Sequence, residues 1–101
     1  MINRAGENIF PAEVEGVLIK HPSVNEVAVF GVPDITWGTR VCAAVVLKGG
    51  DVVTESDLIR FCKKELASYK CPGSIYFLEE LPRTFEGGKV KRRELKERYS
   101  Q

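Results

Sequence analysis

One apolar run, Arg40 to Leu47, constrains the fold more than any other segment of this chain. All seven residues after Arg40 are apolar, which is typical of a central strand. Lys48-Gly49-Gly50-Asp51 follows at once and indicates a turn. A central strand needs other strands beside it and helices over it, so the run predicts a layered domain containing both kinds of element.

The segments before this run predict one helix and one strand. Pro11 suits the first position of a helix, because its missing N–H costs nothing there. Three apolar residues then fall on one helical face, at i, i+3 and i+4 spacing: Val14, Val17 and Leu18. The helix should end at His21-Pro22, since the residue before a proline avoids helical angles. Val24 to Val32 is rich in β-branched residues and predicts a strand.

The segments after the run predict a helix, a strand, a loop and a last helix. Thr54-Glu55-Ser56-Asp57 is similar to a capping box, and the helix after it has one apolar face: Leu58, Phe61, Cys62 and Leu66. Ile75 to Leu78 predicts a short strand, and Leu81 to Lys89 a polar loop. Lys91 to Tyr99 predicts a short basic helix anchored by Leu95 and Tyr99. The expected fold is α+β, with a small, mainly antiparallel sheet of about three strands flanked by helices, in the order helix, strand, strand, helix, strand, loop, helix.

The composition is that of one soluble globular domain covering residues 1–101. Hydrophobic residues make up 44% and charged residues 29%, with a formal net charge of +1, so nothing indicates a polyanion binder. No apolar run approaches the roughly 20 residues of a membrane span, and a signal peptide is not indicated. The cysteines are odd in number and have no C-x-x-C spacing: Cys42, Cys62 and Cys71. We therefore predict free buried thiols and a cytoplasmic protein, with neither a disulfide nor a metal site.

Gly87-Gly88-Lys89 is the most informative local motif. A P-loop would need a glycine at Arg83 and a serine or threonine at Val90, so this is not one. The stretch from Arg83 to Arg98 carries seven basic and three acidic residues. It is therefore either a solvated helix face or a surface that meets phosphate. Lys89 itself is either a solvated residue after a turn or a charge aimed at a phosphate.

Three further features have both a structural and a functional interpretation. Gly6-Glu7-Asn8 precedes the first helix, where Gly6 either makes a turn or lets a ligand approach the backbone. Trp37 precedes a glycine in a loop and is either a contact for a partner or a core residue. His21, the only histidine, has no serine or cysteine nucleophile near it in sequence, so we assign it to the end of the first helix.

Three motifs in order resemble the C-terminal domain of the adenylate-forming superfamily, which includes acyl-CoA synthetases, luciferases and peptide synthetase adenylation domains. INRAGENIFPAEVE, residues 2–15, is similar to the stretch just after that superfamily's hinge. HPSV and AVFGVPD, followed by Trp37-Gly38, are similar to its next motif. YKCP, LPRT and GKVKR, ending at Arg92, are similar to its last one. The resemblance extends over nearly the whole chain.

The resemblance implies a two-step reaction. A carboxylic acid and ATP form an acyl-adenylate, and the acyl group then passes to a thiol, commonly that of CoA. It implies that Lys89 enters the active site for the first step, and that Gly6, Glu7 and Asn8 lie on the thiol side after the domain rotates. ATP, Mg²⁺ and the acid would be held by an N-terminal domain absent from this chain, with no cofactor bound tightly by this one. The domain alone should be inactive.

Two departures from the superfamily's pattern bear on this assignment. Pro82 and Lys89 are one residue further apart than usual, so the loop that carries Lys89 has an extra residue. Thr39 follows Gly38 where the superfamily often has a glutamate.

Two alternatives to a ligase domain are a free-standing module that binds a partner protein or CoA, and a nucleic-acid binder that uses the basic tail. The second lacks an RNA-stacking surface, since Tyr76 and Phe77 are adjacent and point to opposite faces of a strand. We therefore expect no nucleic-acid partner.

Overall fold

The computed structural model describes residues 1–36, 38–85 and 87–100, and the chain folds there as an α+β domain, as predicted. Its five strands are β1 (Ile2–Arg4), β2 (Glu7–Ile9), β3 (Val24–Asp34), β4 (Gly38–Leu47) and β5 (Ser74–Phe77). Its helices are α1 (Pro11–Leu18), α2 (Glu55–Lys63) and α3 (Arg92–Tyr99), with a 3₁₀ turn at Ser68–Lys70. None of the helices in these ranges has the length and apolarity needed to cross a bilayer.

The predicted central strand is confirmed, because β4 lies between β3 and β5 in a three-stranded sheet. β3 and β4 pair antiparallel, with Val29 opposite Ala43. β5 pairs with β4 in parallel, with Ile75 also opposite Ala43. The sheet is therefore mixed, because α2 carries the chain back over one face before β5 begins, and such a crossover returns a strand in the same direction.

The side chains of β4 alternate between two separate cores. Val41, Ala43 and Val45 point to one face of the sheet, where they pack with buried residues of β1, β2, α1 and α2. We call this the lower core. Cys42 and Ala44 point to the other face, where they pack with Leu95 of α3 and with residues of β3. We call this the upper core. Every residue from Val41 to Val46 is buried, so β4 has no face left for solvent.

The predicted apolar face of α1 and the predicted capping box of α2 are both confirmed. Val14, Val17 and Leu18 of α1 are all buried in the lower core. The Thr54 hydroxyl accepts from the Asp57 N–H at 3.1 Å, and the Asp57 carboxylate accepts from the Thr54 N–H at 3.0 Å. This is a complete capping box in which aspartate takes the place of the usual glutamate.

The faces of α2 and α3 also match the predicted pattern. Leu58 and Cys62 of α2 are buried, while Phe61 and Leu66 pack against the same core with partial exposure. Leu95 of α3 is fully buried. Tyr99 stacks on Tyr76, with ring centroids 3.8 Å apart and planes 6° apart.

A hairpin at the N-terminus was not predicted. β1 and β2 pair antiparallel through a two-residue turn at Ala5 and Gly6, with φ of 51° and 86° respectively. Positive φ at both central residues is the mark of a type I′ turn, whose twist matches that of the flanking strands. Asn-Gly is the usual sequence of such a turn. Ala-Gly carries that signal weakly. The hairpin is held by burial of Ile2 and Ile9 in the lower core.

Each outer edge of the sheet is met by a glutamate from a helix. On β3, the Val29 N–H donates to Glu15 of α1 at 2.8 Å, and the Val29 carbonyl accepts from the Arg92 Nε at 3.2 Å. On β5, the Ile75 N–H donates to Glu55 of α2 at 2.7 Å. These contacts occupy backbone groups that an edge strand would otherwise offer to another chain.

The three cysteines are free and buried, as predicted. Burial raises the pKa of each thiol, because it disfavours the charged thiolate. The effect is largest at Cys62, where burial and the neighbouring Cys71 raise the pKa from 9.0 to about 12. None of these thiols is therefore suited to act as a nucleophile at neutral pH.

Gly31 marks a place where the hairpin packs tightly on the sheet. A Cβ at Gly31 would lie 2.7 Å from the Thr39 Cγ2 and 3.2 Å from the Ile2 Cγ2, whereas one at Gly16 of α1 would meet nothing within 4 Å. We expect Gly31→Ala to lower the free energy of unfolding by about 1–3 kcal/mol. Gly16→Ala, the matched control in a helix, should raise it by about 0.5–1 kcal/mol. Urea denaturation measures both, and equal stability of the two variants would contradict this packing.

The raised pKa of Cys62 makes stability depend on alkaline pH. Above about pH 9 the unfolded chain loses the Cys62 proton while the folded chain keeps it, so the stabilisation present below pH 9 should be lost as pH rises towards about 12. Cys62→Ala should lower stability at pH 8 yet show a shallower decline from pH 8 to about pH 10 in denaturant titrations. Val17→Ala, a buried change without a titrating group, should keep the original slope. Parallel curves for all three proteins would refute this account.

Candidate functional site

Lys89 lies at the end of a closed loop that projects from the upper-core face of the sheet. An antiparallel bridge between Arg83 and Val90 closes residues 84–89 into a hairpin-like loop. The Thr84 N–H donates to the Lys89 carbonyl at 3.0 Å, and the Gly88 N–H donates to the Phe85 carbonyl at 2.7 Å. The Lys89 side chain is exposed. The backbone of the lysine is thus fixed while its ammonium is left available to a ligand.

The two glycines before Lys89 are required by the geometry of this loop. Gly87 has a φ of 79°, which residues with a Cβ rarely adopt. At Gly88 a Cβ would lie only 2.5 Å from the Thr84 Oγ1 and 3.0 Å from the Phe85 ring. The loop therefore folds tightly over Gly88, and Lys89 follows directly between this close contact and the bridge at Val90. Glu86, which belongs to the loop with the extra residue, lies outside the described residues.

The positive charge of the basic stretch is partly neutralised within the domain. Three of its arginines are in ion pairs: Arg83 with Glu26, Arg92 with Glu15, and Arg98 with Glu94. The last pair has the i, i+4 spacing of a solvated helix face. Lys89 and Lys91 are exposed beside these pairs. This arrangement favours a local charge at the loop over a broad basic surface for a nucleic acid.

Gly6, Glu7 and Asn8 lie on the other side of the sheet from Lys89. Gly6 forms the turn of the β1–β2 hairpin, where its N–H donates to the Asn3 Oδ1 at 3.2 Å. Glu7 and Asn8 are exposed. The hairpin packs into the lower core, whereas Val90 and the residues around it pack into the upper core. The hairpin and the Lys89 loop thus pack on opposite faces of the sheet.

An open groove lies beside the Lys89 loop and is lined by both acidic and basic side chains. Its walls include Glu26, Glu80, Arg83, Phe85 and Arg98. Phe85 is 71% exposed, so the loop offers an apolar surface next to Lys89. The groove is shallow and open to solvent, which suits contact with a second surface better than enclosure of a small molecule.

His21 does not join either site. The His21 Nδ1 accepts from the Ser23 N–H at 3.1 Å, and the ring meets Phe61 edge-on at 5.0 Å. His21 therefore supports the turn after α1, as assigned. Trp37 lies outside the described residues. Over the described ranges, no group of three or more His, Cys, Asp or Glu side chains is placed to hold a metal ion.

Sequence reasoning missed the contacts that hold the Lys89 loop. Arg83 donates to the Gly88 carbonyl at 2.8 Å and pairs with Glu26 of β3, 57 residues away in sequence. In the sequence, Arg83 stands out only as a member of the basic stretch and of the motif LPRT. No local pattern could have shown that Glu26 is its partner, because the two residues come together only when the sheet folds.

The chain is similar to curated proteins over almost all of its length. It is 45% identical to the oxalate–CoA ligase of Saccharomyces cerevisiae, covering 99% of this chain and 18% of that protein. It is 52% identical to the 2-succinylbenzoate–CoA ligase of Bacillus mycoides, covering 95% of this chain and 19% of that protein. The chain thus spans about a fifth of the length of these relatives.

The fold is shared with solved structures of such enzymes. The fatty acyl CoA synthetase of Mycobacterium tuberculosis superposes with a TM-score of 0.89 at 43% identity, covering 99% of this chain and 20% of that one. The family model described as the AMP-binding enzyme C-terminal domain matches residues 13–87. That range ends just before Lys89 and begins after Asn8, so both candidate sites flank the matched segment. Because the match covers most of the chain, this protein belongs to the AMP-binding enzyme C-terminal domain family.

Proposed function

We propose that this chain is the mobile C-terminal domain of an ATP-dependent acid–thiol ligase, and that Lys89 serves its adenylation step. The observation that carries this proposal is the closed glycine loop, which fixes the Lys89 backbone and leaves its ammonium exposed. Family membership and relatives named as CoA ligases support it. The substrates would be a carboxylic acid, ATP and CoA, with Mg²⁺ held by the N-terminal domain.

In the first step a carboxylate oxygen attacks the α-phosphorus of ATP. The bond between the α-phosphorus and its bridging oxygen breaks, and pyrophosphate leaves. Both reactants are anionic, so the approach is opposed by charge repulsion and negative charge is concentrated on the phosphorus oxygens. A lysine ammonium placed beside these oxygens would lower the barrier by a few kcal/mol, as fixed charges in active sites do. The exposed position of Lys89 would allow it to reach across an interface, since the groove beside its loop is open to solvent.

In the second step a thiol sulfur attacks the acyl carbonyl carbon, and AMP leaves. We assign the hairpin turn at Gly6, Glu7 and Asn8 to this step, because it lies on the opposite face of the sheet from Lys89. A rotation of the whole domain would exchange one face for the other at the N-terminal domain. Such a motion is an ordinary way to separate two steps at one active site.

A free-standing module that binds a partner protein or CoA is the alternative. The matches to CoA ligases give it no support, and the intact loop with an exposed Lys89 is what a ligase domain would need. The two proposals differ in one consequence: only a ligase domain makes the rate of adenylate formation depend on Lys89.

Lys89→Ala should therefore separate the two half-reactions of the full-length ligase. With the acid that performs best in a panel of carboxylic acids, pyrophosphate release should fall by about 10²–10³-fold, the usual cost of removing one transition-state charge contact. Thioester formation from supplied acyl-adenylate should change little. Lys91→Ala, which removes an exposed lysine from the same stretch, is the matched control and should leave both rates near those of the parent. Equal losses in both steps for Lys89→Ala would rule out its assignment to adenylation.

Gly6→Leu should show the opposite pattern. Its φ of 86° is unfavourable for leucine, and the space around it is open, so the new side chain would distort the turn and project from it. We expect thioester formation to slow about tenfold, equivalent to about 1.4 kcal/mol, while pyrophosphate release is kept. Gly6→Asn is the control, because asparagine tolerates positive φ far better. A loss confined to pyrophosphate release would show that the hairpin serves the first step instead.

A further inference from the structure

Glu26 lies on the upper-core face of the sheet, directly after an irregularity in β3 that keeps Val24 on the lower-core face. Val24 lies opposite Leu47 and Glu26 lies opposite Val46, so the pairing shifts between Val24 and Glu26 and Asn25 has no partner of its own. An insertion of this kind is a β-bulge, and it changes which face the following side chains occupy.

The change of face is visible in the cores. Val24 and Val29 both pack into the lower core. They are five positions apart, and in a regular strand residues five apart point to opposite faces. The extra residue at Asn25 restores them to the same face. Ala28 and Phe30 pack into the upper core. Glu26, an even number of residues before Ala28, therefore shares the upper face with the Lys89 loop. In a regular strand Val24 would share that face too, and its side chain would leave the lower core.

Arg83 connects Glu26 to the Lys89 loop. Its Nη2 pairs with the Glu26 carboxylate, and its Nη1 donates to the Gly88 carbonyl at 2.8 Å. That carbonyl belongs to the peptide bond between Gly88 and Lys89. One planar guanidinium thus joins the sheet to the backbone immediately before the lysine, which a single point charge such as an ammonium cannot do with the same geometry.

We infer that Glu26 and Arg83 are positioning residues for Lys89, and that their ion pair sets where the lysine enters the active site. This inference rests on the proposed function, because it assumes that Lys89 acts in adenylation. Both side chains are about one-third exposed, at 32% for Arg83 and 33% for Glu26. An ion pair this accessible contributes little to stability, so its main effect is on the position of the loop.

The test uses the full-length ligase and three readouts: pyrophosphate release, thioester formation from supplied acyl-adenylate, and thermal stability. Arg83→Lys keeps the charge but loses the two-pronged contact. We expect kcat for pyrophosphate release to fall by about 10²-fold, the cost of a displacement of about 1 Å in an active site. The KM for ATP, thioester formation and the melting temperature should stay close to those of the parent. Arg60→Lys is the matched control, since Arg60 also pairs with a carboxylate, that of Asp57 in α2, but does not line the groove beside the Lys89 loop.

The role of Glu26 is tested by combining variants. Glu26→Gln alone should slow pyrophosphate release, because it weakens the hold on Arg83. In the Arg83→Lys protein the same change should add little, since residues that act through one contact are not additive. Independent, multiplying losses would show that Glu26 does not act through Arg83 and would overturn the inference.

The outcomes also distinguish this inference from the proposed function. If Lys89→Ala abolishes pyrophosphate release and Arg83→Lys does not slow it, the positioning role is wrong and the proposed function stands. If Lys89→Ala leaves pyrophosphate release intact, both are wrong. If Arg83→Lys slows both half-reactions equally and lowers the melting temperature, Arg83 is a structural residue only, which also overturns the inference.

Discussion

The burial of β4 on both faces is the constraint on which the rest of this domain depends. A strand with no exposed face must be covered twice, and a chain of this length meets that requirement with two small cores. The hairpin, α1 and α2 cover one core, and α3 and Val90 at the end of the Lys89 loop cover the other. The two candidate sites lie on opposite faces because each belongs to an element that packs into a different core.

The sheet edges show a second consequence of the small size. Two strands flank β4, so both are edge strands, and both expose backbone groups. Glu15 and Glu55 accept from the outward N–H groups of Val29 and Ile75. Arg92 completes the arrangement on β3 by contacting Glu15 and the Val29 carbonyl together. The start of α3 is therefore fixed to the sheet three residues after Lys89, so both ends of the lysine loop are tied to β3.

Much of the fold follows from patterns that are local in sequence. The apolar run of β4, the proline at the start of α1 and the capping box at Thr54 each have one dominant structural meaning. The β1–β2 hairpin was missed because Ala5-Gly6 is an unusual turn sequence, and the bulge at Asn25 because a bulge leaves β-branched composition unchanged. The parallel pairing of β5 depends on the path of the chain. At the site, local sequence indicated Lys89 but not its supports, since the partnership of Glu26 and Arg83 exists only after folding. The roles of Lys89 and Gly6 rest on family resemblance.

The covering of β4 from both sides also limits how the domain can act. The hairpin and the lysine loop pack on opposite faces of the same sheet, so turning one of them towards a neighbouring surface would turn the other away. In a ligase whose two steps need different faces, the two presentations would exclude each other by geometry alone. An enzyme built on this domain would need no separate signal to withdraw the lysine when the thiol is bound, because presenting the hairpin would itself remove the lysine.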